Sequence, residues 1–449
     1  MMKRLISLPL TMALLIVFIA GSTFAGEHYS LIYYDGHMHS VRSDGSGTVA
    51  QIKQIAKSRG LDAVIITDHC RDLTLAEWRS LVAETRALSD STLLMLPGFE
   101  VTGSDGIFNR AHVNALGVDD PFVGLDRCEL CPEEVWQEPF NPAGTGPLYP
   151  DNITKWINYI HAYGGIAVHN HPSGTTSLDY GVDNLEIYNQ GHVDDVASYA
   201  EMLGIPETVA LGLGLTLNDF SLYGDRDLNM LVTLPGFGTM PLRLALYYAT
   251  LSLPPNVGQW LGAPEAPPLN SWDDLLMAYV DHVVCKPIYG LANSDSHTTS
   301  NPADSTIGSA RNGAFVSIGR YGLTAKELYK AIKAGHTFGT TGPSLELDVN
   351  SRIMGDTAFL RNGGTARINL YANSESPAAI LVKIDIIRNG ELWQTISPMS
   401  EDFAITLEDA DLTEDGYYRV EVTSFDTADG MYKFAWSNPV FVRIFRIGG

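Results

Sequence analysis

Short apolar runs recur through the first three-quarters of the chain, and most break off at a residue with reactive chemistry on its side chain. Leu31 to Tyr34 runs into Asp35-Gly-His-Met-His39, Ala63 to Ile66 into Thr67-Asp-His69, and Leu93 to Leu96 into Pro97-Gly-Phe-Glu100. His112 precedes the run around Val113, Gly165 to Val168 leads into His169-Asn-His-Pro172, and Gly290-Leu-Ala leads into Asn293-Ser-Asp-Ser-His297. Leu185 to Asn189 and Ala314 to Ile318 have the same texture. Apolar runs this short, bounded by turn residues, predict buried strands. A 3.6-residue period surfaces between them at Val49 to Ser58, Leu75 to Leu88, Ile153 to Ala162, Val193 to Leu203 and Ala325 to Ala334, predicting helices. Strands alternating with helices predict a parallel sheet with crossovers, and chemistry gathered at strand ends is the behaviour of a closed β/α barrel. Two stretches break the rhythm. Residues 119–150, rich in Pro, Gly and Cys, predict an inserted loop; residues 204–284, punctuated by Gly and Pro and ending in a helix from Trp272 to Val284, predict a lid or cap.

Near Gly342-Pro343 the period shortens to two. Ala366 to Tyr371, Ile380 to Ile387, Phe403 to Leu407, Tyr417 to Val422 and Val440 to Phe445 alternate, with turn residues such as Arg388-Asn-Gly390 and Asp426 to Gly430 between them. Residues 343–449 are therefore expected to form a small Ig-like β-sandwich, with Tyr418 making the corner at the entry to one strand.

The first 25 residues stand apart: Lys3 and Arg4, an apolar run from Leu5 to Ala20, then the small-residue stretch Gly21 to Ala25. That is the layout of a secretory signal peptide, with cleavage expected after Ala25 and the protein exported to the periplasm or the extracellular medium. An uncleaved anchor is the alternative, disfavoured because the run is short for a bilayer span. No integral membrane segment is expected after the signal is removed. What then remains, residues 26–342 and 343–449, carries 27 Lys and Arg against 52 Asp and Glu. So acidic a surface repels polyanions and argues against duplex nucleic acid as a partner. A small anionic substrate stays compatible with it, because bound cations invert the local field. Of the four cysteines, Cys128-x-x-Cys131 is expected to form a local disulfide, with a metal clamp as the alternative, while Cys70 and Cys285 are expected in the core.

His37 and His39 stand two apart at a strand end, so their imidazoles leave one face and can converge on one cation. Asp295 and His297 repeat the spacing, and His69, Glu100, His112 and His171 add donors of the same kind. Imidazole mixed with carboxylate suits zinc, manganese or iron. Taken in chain order, D-G-H-M-H-S, Ser43-Asp44-Gly45, T-D-H, G-F-E, His112 to Gly117 (H-x-x-x-L-G), H-P and S-D-S-H resemble the motifs of the polymerase and histidinol phosphatase (PHP) superfamily over residues 30–340. The resemblance implies a distorted seven-stranded β/α barrel, PHP type, holding up to three divalent ions. Its metal ligands would be His37, His39, Asp44, His69, Glu100, His112, His171, Asp295 and His297. The tail, with A-G-H-T-F-G-T-T-G-P before Ser344 and Trp436-Ser-Asn-Pro439, is similar to the carbaryl-hydrolase-like branch, whose members are often exported metallohydrolases. Asp35, Asp68 and His169 are candidates for orienting ligands, and Arg71, Arg110 and Lys286 for holding an anionic substrate group. His336 is expected to make a structural hydrogen bond. The chemistry implied is hydrolysis by metal-activated water, with a phosphoester as the leading substrate, a carboxylic ester or carbamate as the alternative, and a non-catalytic metal-holding module as the rival of another class.

Overall fold

In the computed structural model, the residues described are 29–103, 111–118, 153–171, 181–190, 272–319 and 322–446, with four short strand pieces at 23–24, 27–28, 231–234 and 238–241. Residues 1–22 of the leader, Cys128 and Cys131, Arg110, the helix expected from Val193 to Leu203 and most of the two expected insertions lie outside the described residues. Among these, no helix is long and apolar enough to cross a membrane.

Among the described residues, and leaving the four short strand pieces aside, eight strands and five α-helices make up the N-terminal part. In chain order they are β1 (Ser30–Asp35), α1 (Val49–Ser58), β2 (Ala63–Ile66), α2 (Leu75–Leu88), β3 (Leu94–Gly103), β4 (Ala111–Leu116), α3 (Ile153–Ala162), β5 (Ile166–Asn170), β6 (Asn184–Asn189), α4 (Trp272–Val280), β7 (Tyr289–Asn293), β8 (Arg311–Val316) and α5 (Ala325–Ala334). α1 and α2 both start on a capping box, Thr48 with Gln51 and Thr74 with Glu77, which satisfies amides the first turn leaves free. α5 ends on Gly335 at φ 70°, a conformation that glycine adopts without strain.

The strands lie in the order β7-β6-β5-β4-β3-β2-β1-β8. This corrects the expectation of a closed parallel barrel of seven strands. The ladders of β3–β4 and β4–β5 are antiparallel, as is that of β1–β8. β1 and β7 share no ladder; beyond their ends a one-residue parallel bridge joins Met38 to Ser296. Side-chain amides fill part of the seam instead. Asn312 on β8 accepts from the amide of Ala292 at 2.8 Å and donates to its carbonyl at 2.7 Å.

The sheet does not stop at residue 342. β9 (Thr337–Thr340) pairs with β8 on one side and with β18 (Met431–Ser437) on the other, so one sheet runs from the N-terminal part into the C-terminal part. The intervening strands are β10 (Ser344–Val349), β11 (Arg352–Ile353), β12 (Thr357–Arg361), β13 (Gly364–Asn373), β14 (Ala379–Arg388), β15 (Glu391–Ile396), β16 (Asp402–Leu412) and β17 (Gly416–Asp426), with β19 (Val440–Phe445) last. β18, β17, β14 and β15 continue the long sheet, and β11-β10-β13-β16 form a second sheet of four. Leu345, Leu347, Ile368, Leu370, Ile384, Ile386, Val420 and Val422 share one buried cluster drawn from both sheets, which is sandwich packing. Tyr418 stands at the expected corner, but its hydroxyl donates to the Asp409 carboxylate on β16, 2.5 Å away, tying one sheet to the other.

Two further contacts join the parts. Asn438, from Trp436-Ser-Asn-Pro439, donates to the carbonyls of Gly290 and Thr337 at 3.1 and 2.9 Å and accepts from the Gly290 amide at 2.8 Å. α4 is gripped at both ends: Asp273 takes Arg419 Nε at 2.7 Å and Nη2 at 2.5 Å, and Arg443 donates to the carbonyls of Val280 and Tyr279.

Candidate metal centre

One face of each N-terminal strand is apolar at one end and chemical at the other. Leu96 shares a face with Glu100, Ile166 and Val168 with Asn170, and Leu291 with Asn293, by simple alternation. Their apolar halves pack with Ile32, Tyr34 and Ile65 against Leu328, Ala331 and Ile332 of α5. The opposite faces of the strands, through Val64, Phe99, Val113 and Leu185, bury the other helices. β4 runs the other way, so Leu116 lies at the apolar end and His112, near its start, arrives beside Glu100. The chemistry therefore collects at one end of the sheet.

His37 and His39 are fully buried. Their Nε2 atoms are 3.2 Å apart, and Asp295 Oδ1 lies 3.1 Å from the first and 3.2 Å from the second. Glu100 Oε2 is 3.5 Å from both. Four donors placed around a cation at roughly 2.0–2.2 Å in tetrahedral geometry stand about 3.3–3.6 Å from one another. These five separations match such edges to within a few tenths of an ångström, and the donor set is the mixed imidazole–carboxylate one that zinc, manganese and iron accept. The residues fit a divalent ion.

Two more groups adjoin the first. Glu100 Oε1 lies 2.8 Å from His112 Nδ1 and 3.6 Å from His171 Nε2, so this carboxylate spans two groups. Asp44 faces His69 Nε2 and His297 Nε2, both at 3.4 Å, and His39 Nδ1 at 3.5 Å. Three clusters of candidate donors result: His37, His39 and Asp295; Glu100, His112 and His171; and His39, Asp44, His69 and His297. All nine residues expected as ligands come together. Gly45 helps to place Asp44, since a Cβ there would fall 2.1 Å from the His39 carbonyl oxygen.

Electrostatics favour positive charge at the centre. Burial alone would lower the His37 imidazole, yet Asp295, Glu186 and Glu100 hold it well above the ordinary histidine range. Burial likewise works to raise Glu100 and Asp295, and the surrounding imidazoles outweigh it and hold both carboxyls low. His297, lowered by burial but raised more by Asp44 and Asp295, stands at about 9. Backbone strain reaches the centre at two points: His171 and Asp295 have φ of 25° and 48°, unusual for side-chain-bearing residues.

The remaining candidates divide. Asp35 reaches no imidazole; it accepts from the amides of His37, Ser294 and Gly308, and burial lifts its carboxyl to about 6. Asp68 holds the 40–45 turn through Ser40 N, Ser40 Oγ and Ser43 Oγ at 2.6, 2.6 and 2.8 Å. His169 is buried on the face of β5 opposite Asn170. Lys286 is not brought to the cluster: it pairs with Asp183 at 2.8 Å, before the start of β7, whereas Asp295 follows that strand's end. Arg71 is the middle residue of the 3₁₀ turn Cys70–Asp72, just after His69. His336 makes its structural contact, 3.0 Å to Asp356. Cys70 is buried as expected, but Cys285 is exposed, in the turn that follows a helix four residues shorter than expected.

Several buried polar residues of the centre went unforeseen. Asn170 Nδ2 donates to Glu100 Oε1 at 2.8 Å, and Asn189 Nδ2 to Asp295 Oδ2 at 3.2 Å. Glu186 faces His37 Nδ1 at 2.8 Å. Alternation from Ile166 was the available signal for Asn170; Glu186 looked like one polar position in an apolar strand.

No family model matches the chain. An uncharacterised protein of Chlamydia pneumoniae is 29% identical over 136 residues, 27% of this chain and 21% of that protein, so the chain spans about a fifth of this relative's length. Among solved structures, a two-domain protein of Bacteroides vulgatus containing a predicted PHP-like metal-dependent phosphoesterase aligns over 92% of this chain and 95% of its own, with 13% identity and a TM-score of 0.36. A protein of Bifidobacterium adolescentis assigned as a metal-dependent phosphoesterase aligns over 35% of this chain and 78% of its own, with 20% identity and a TM-score of 0.25. Likenesses so distant leave the reaction to be read from the residues.

Proposed function

We propose that the chain is an exported metal-dependent hydrolase of the PHP type, acting on phosphoesters. The observation that carries this reading is the convergence of His37 Nε2, His39 Nε2 and Asp295 Oδ1, 3.1–3.2 Å from one another, with Glu100 Oε2 3.5 Å from both imidazoles. Divalent cations there, up to three, would supply an acidified water and stabilise charge building on the attacked group and the leaving oxygen. The residues of the chain do the rest. His37 and His39 form a buried floor, while Asp44 and His297 are half-exposed, so substrate approaches from the side of Asp44 and His297. Glu100 and Asp295, held ionised by their imidazole neighbours, fix the spacing between the sites. His112 and His171 line the far side of Glu100. Assignment to the carbaryl-hydrolase-like branch rests on the tail motif alone. Export rests on residues 1–25, and the secreted protein is expected to begin at Gly26.

The deciding experiment strips the purified protein of metal and reloads it separately with zinc, manganese and ferrous iron. Each form is assayed against a phosphomonoester, a phosphodiester, a carboxylic ester and a carbamate. Turnover of a phosphoester in at least one metal form is expected. Turnover of the acyl substrates alone would replace phosphoester with acyl hydrolysis. Stoichiometric metal with no turnover of any of the four would favour a non-catalytic module.

A further inference from the structure

Glu186 lies outside every motif described above and is almost completely buried. Three N–H donors and one imidazole nitrogen surround its two oxygens. Oε1 faces His37 Nδ1 at 2.8 Å and Asn293 Nδ2 at 2.9 Å; Oε2 accepts from the His171 amide at 2.8 Å and from Asn189 Nδ2 at 2.7 Å. Asn293, Asn189 and the His171 amide can only donate, so three of the four acceptor positions of this carboxylate are filled and the fourth faces His37 Nδ1. His37 therefore keeps a proton on Nδ1, and Nε2, facing the Asp295–Glu100 group, is the nitrogen that would give up its proton to a cation. The same carboxylate pins the amide of His171, the residue whose φ of 25° turns its ring toward Glu100 Oε1.

We propose that Glu186 is the positioning residue that holds two of the three donor groups in one frame, setting the His37 tautomer in one and the His171 backbone turn in the other. Its partners are His37, His171, Asn189 and Asn293, none of which belongs to the group of Asp44, His69 and His297. Removing it therefore loosens two sites and spares the third, a split that a merely structural role would not produce. The proposal rests on reading the cluster as a metal centre.

The test is a zinc titration of the stripped, full-length protein in competition with a chromophoric chelator, comparing the parent with Glu186→Gln. Glutamine keeps the size but replaces one acceptor oxygen with a donor. Two of the parent's sites are expected to weaken by about 10- to 100-fold each, the range for lost orienting partners, while the remaining site is unchanged. A folded variant whose isotherm matches the parent's, or one weakened equally at every site, overturns the proposal. A parent that takes up no zinc instead overturns the metal-centre reading itself. Should Glu186→Gln not fold, the parent alone decides the matter. Long-range proton–nitrogen spectra of the zinc-loaded parent labelled on histidine nitrogen, with His37 assigned through His37→Gln, are expected to show His37 protonated on Nδ1 and not on Nε2; a proton on Nε2 overturns the proposal.

Discussion

Both oxygens of Glu100 are engaged, Oε2 with the His37–His39 pair and Oε1 with His112, so a change at this one side chain reaches two groups at once. Glu100→Gln keeps the shape but leaves a single acceptor oxygen. It is expected to cost at least one equivalent of bound metal and at least about 10- to 100-fold in turnover, read by elemental analysis and the phosphoester assay. Asp183 makes a different residue-scale case, far from the cluster. Burial works to raise its carboxyl, but His161, Lys286 and the amide of Ala167 outweigh that and hold it at about 2, below its ordinary 3.8. A depressed folded-state value means that its stabilisation is complete above pH 4 and is lost as pH falls toward 2. A gap of nearly two units corresponds to roughly 2 kcal/mol. Asp183→Asn should be less stable than the parent by about that amount at pH 7, and the two should converge near pH 2, in denaturant melts of the metal-free proteins. The nine expected ligands were legible because each sits in a short motif with its own chemistry. Asn189, Asn293 and Glu186 were not, because what they hold lies on neighbouring strands: Glu186 is 149 residues from His37.

Helices were the most legible elements, since α1, α2, α3 and α5 each carry a clear period, two of them with capping boxes at the start. Strand positions were legible, but strand directions were not. Nothing in Ala111–Leu116 says that it runs against both neighbours, because alternation looks the same read forwards or backwards. The partner of α4 was equally hidden. Its Asp273 is matched by Arg419 from β17, almost fully buried and bonded through two nitrogens, 146 residues along the chain. Breaking such a pair from one side leaves the buried Arg419 charge with Glu421 as its remaining carboxylate partner. Asp273→Ala is expected to cost about 3–5 kcal/mol in equilibrium unfolding, and adding Arg419→Met should recover much of it. If the double variant is no better than the single, the buried charge is not the cause of the loss.

At the scale of the molecule, a boundary near residue 343 was read from a change of period, and residues 26–342 and 343–449 remain our proposed units. The sheet runs straight through that boundary, however, from β9 into β18. Period reports which face of a strand is buried, not which strand lies beside it, so the join could not be read from sequence. Asn438 makes the joint between the parts specific, with four side-chain hydrogen bonds to Gly290 and Thr337. Asn438→Ala leaves buried groups of both residues unsatisfied and is expected to cost about 2–5 kcal/mol. A chain ended at residue 342 should fail to give a metal-loaded, soluble protein, which expression followed by elemental analysis would reveal; a well-folded, fully loaded fragment would show that the N-terminal part stands alone.

That joint also has a consequence for how the chain is made. Synthesis proceeds from the N-terminus, so His37 and His39 are made 401 and 399 residues before Asn438. The seam beside those donors thus waits for a residue made long after them. Nascent chains stalled before position 438 should keep β7 open to proteases, and those released beyond it should protect it. In time as well as in space, the last turn of the sandwich closes the first strand's neighbourhood.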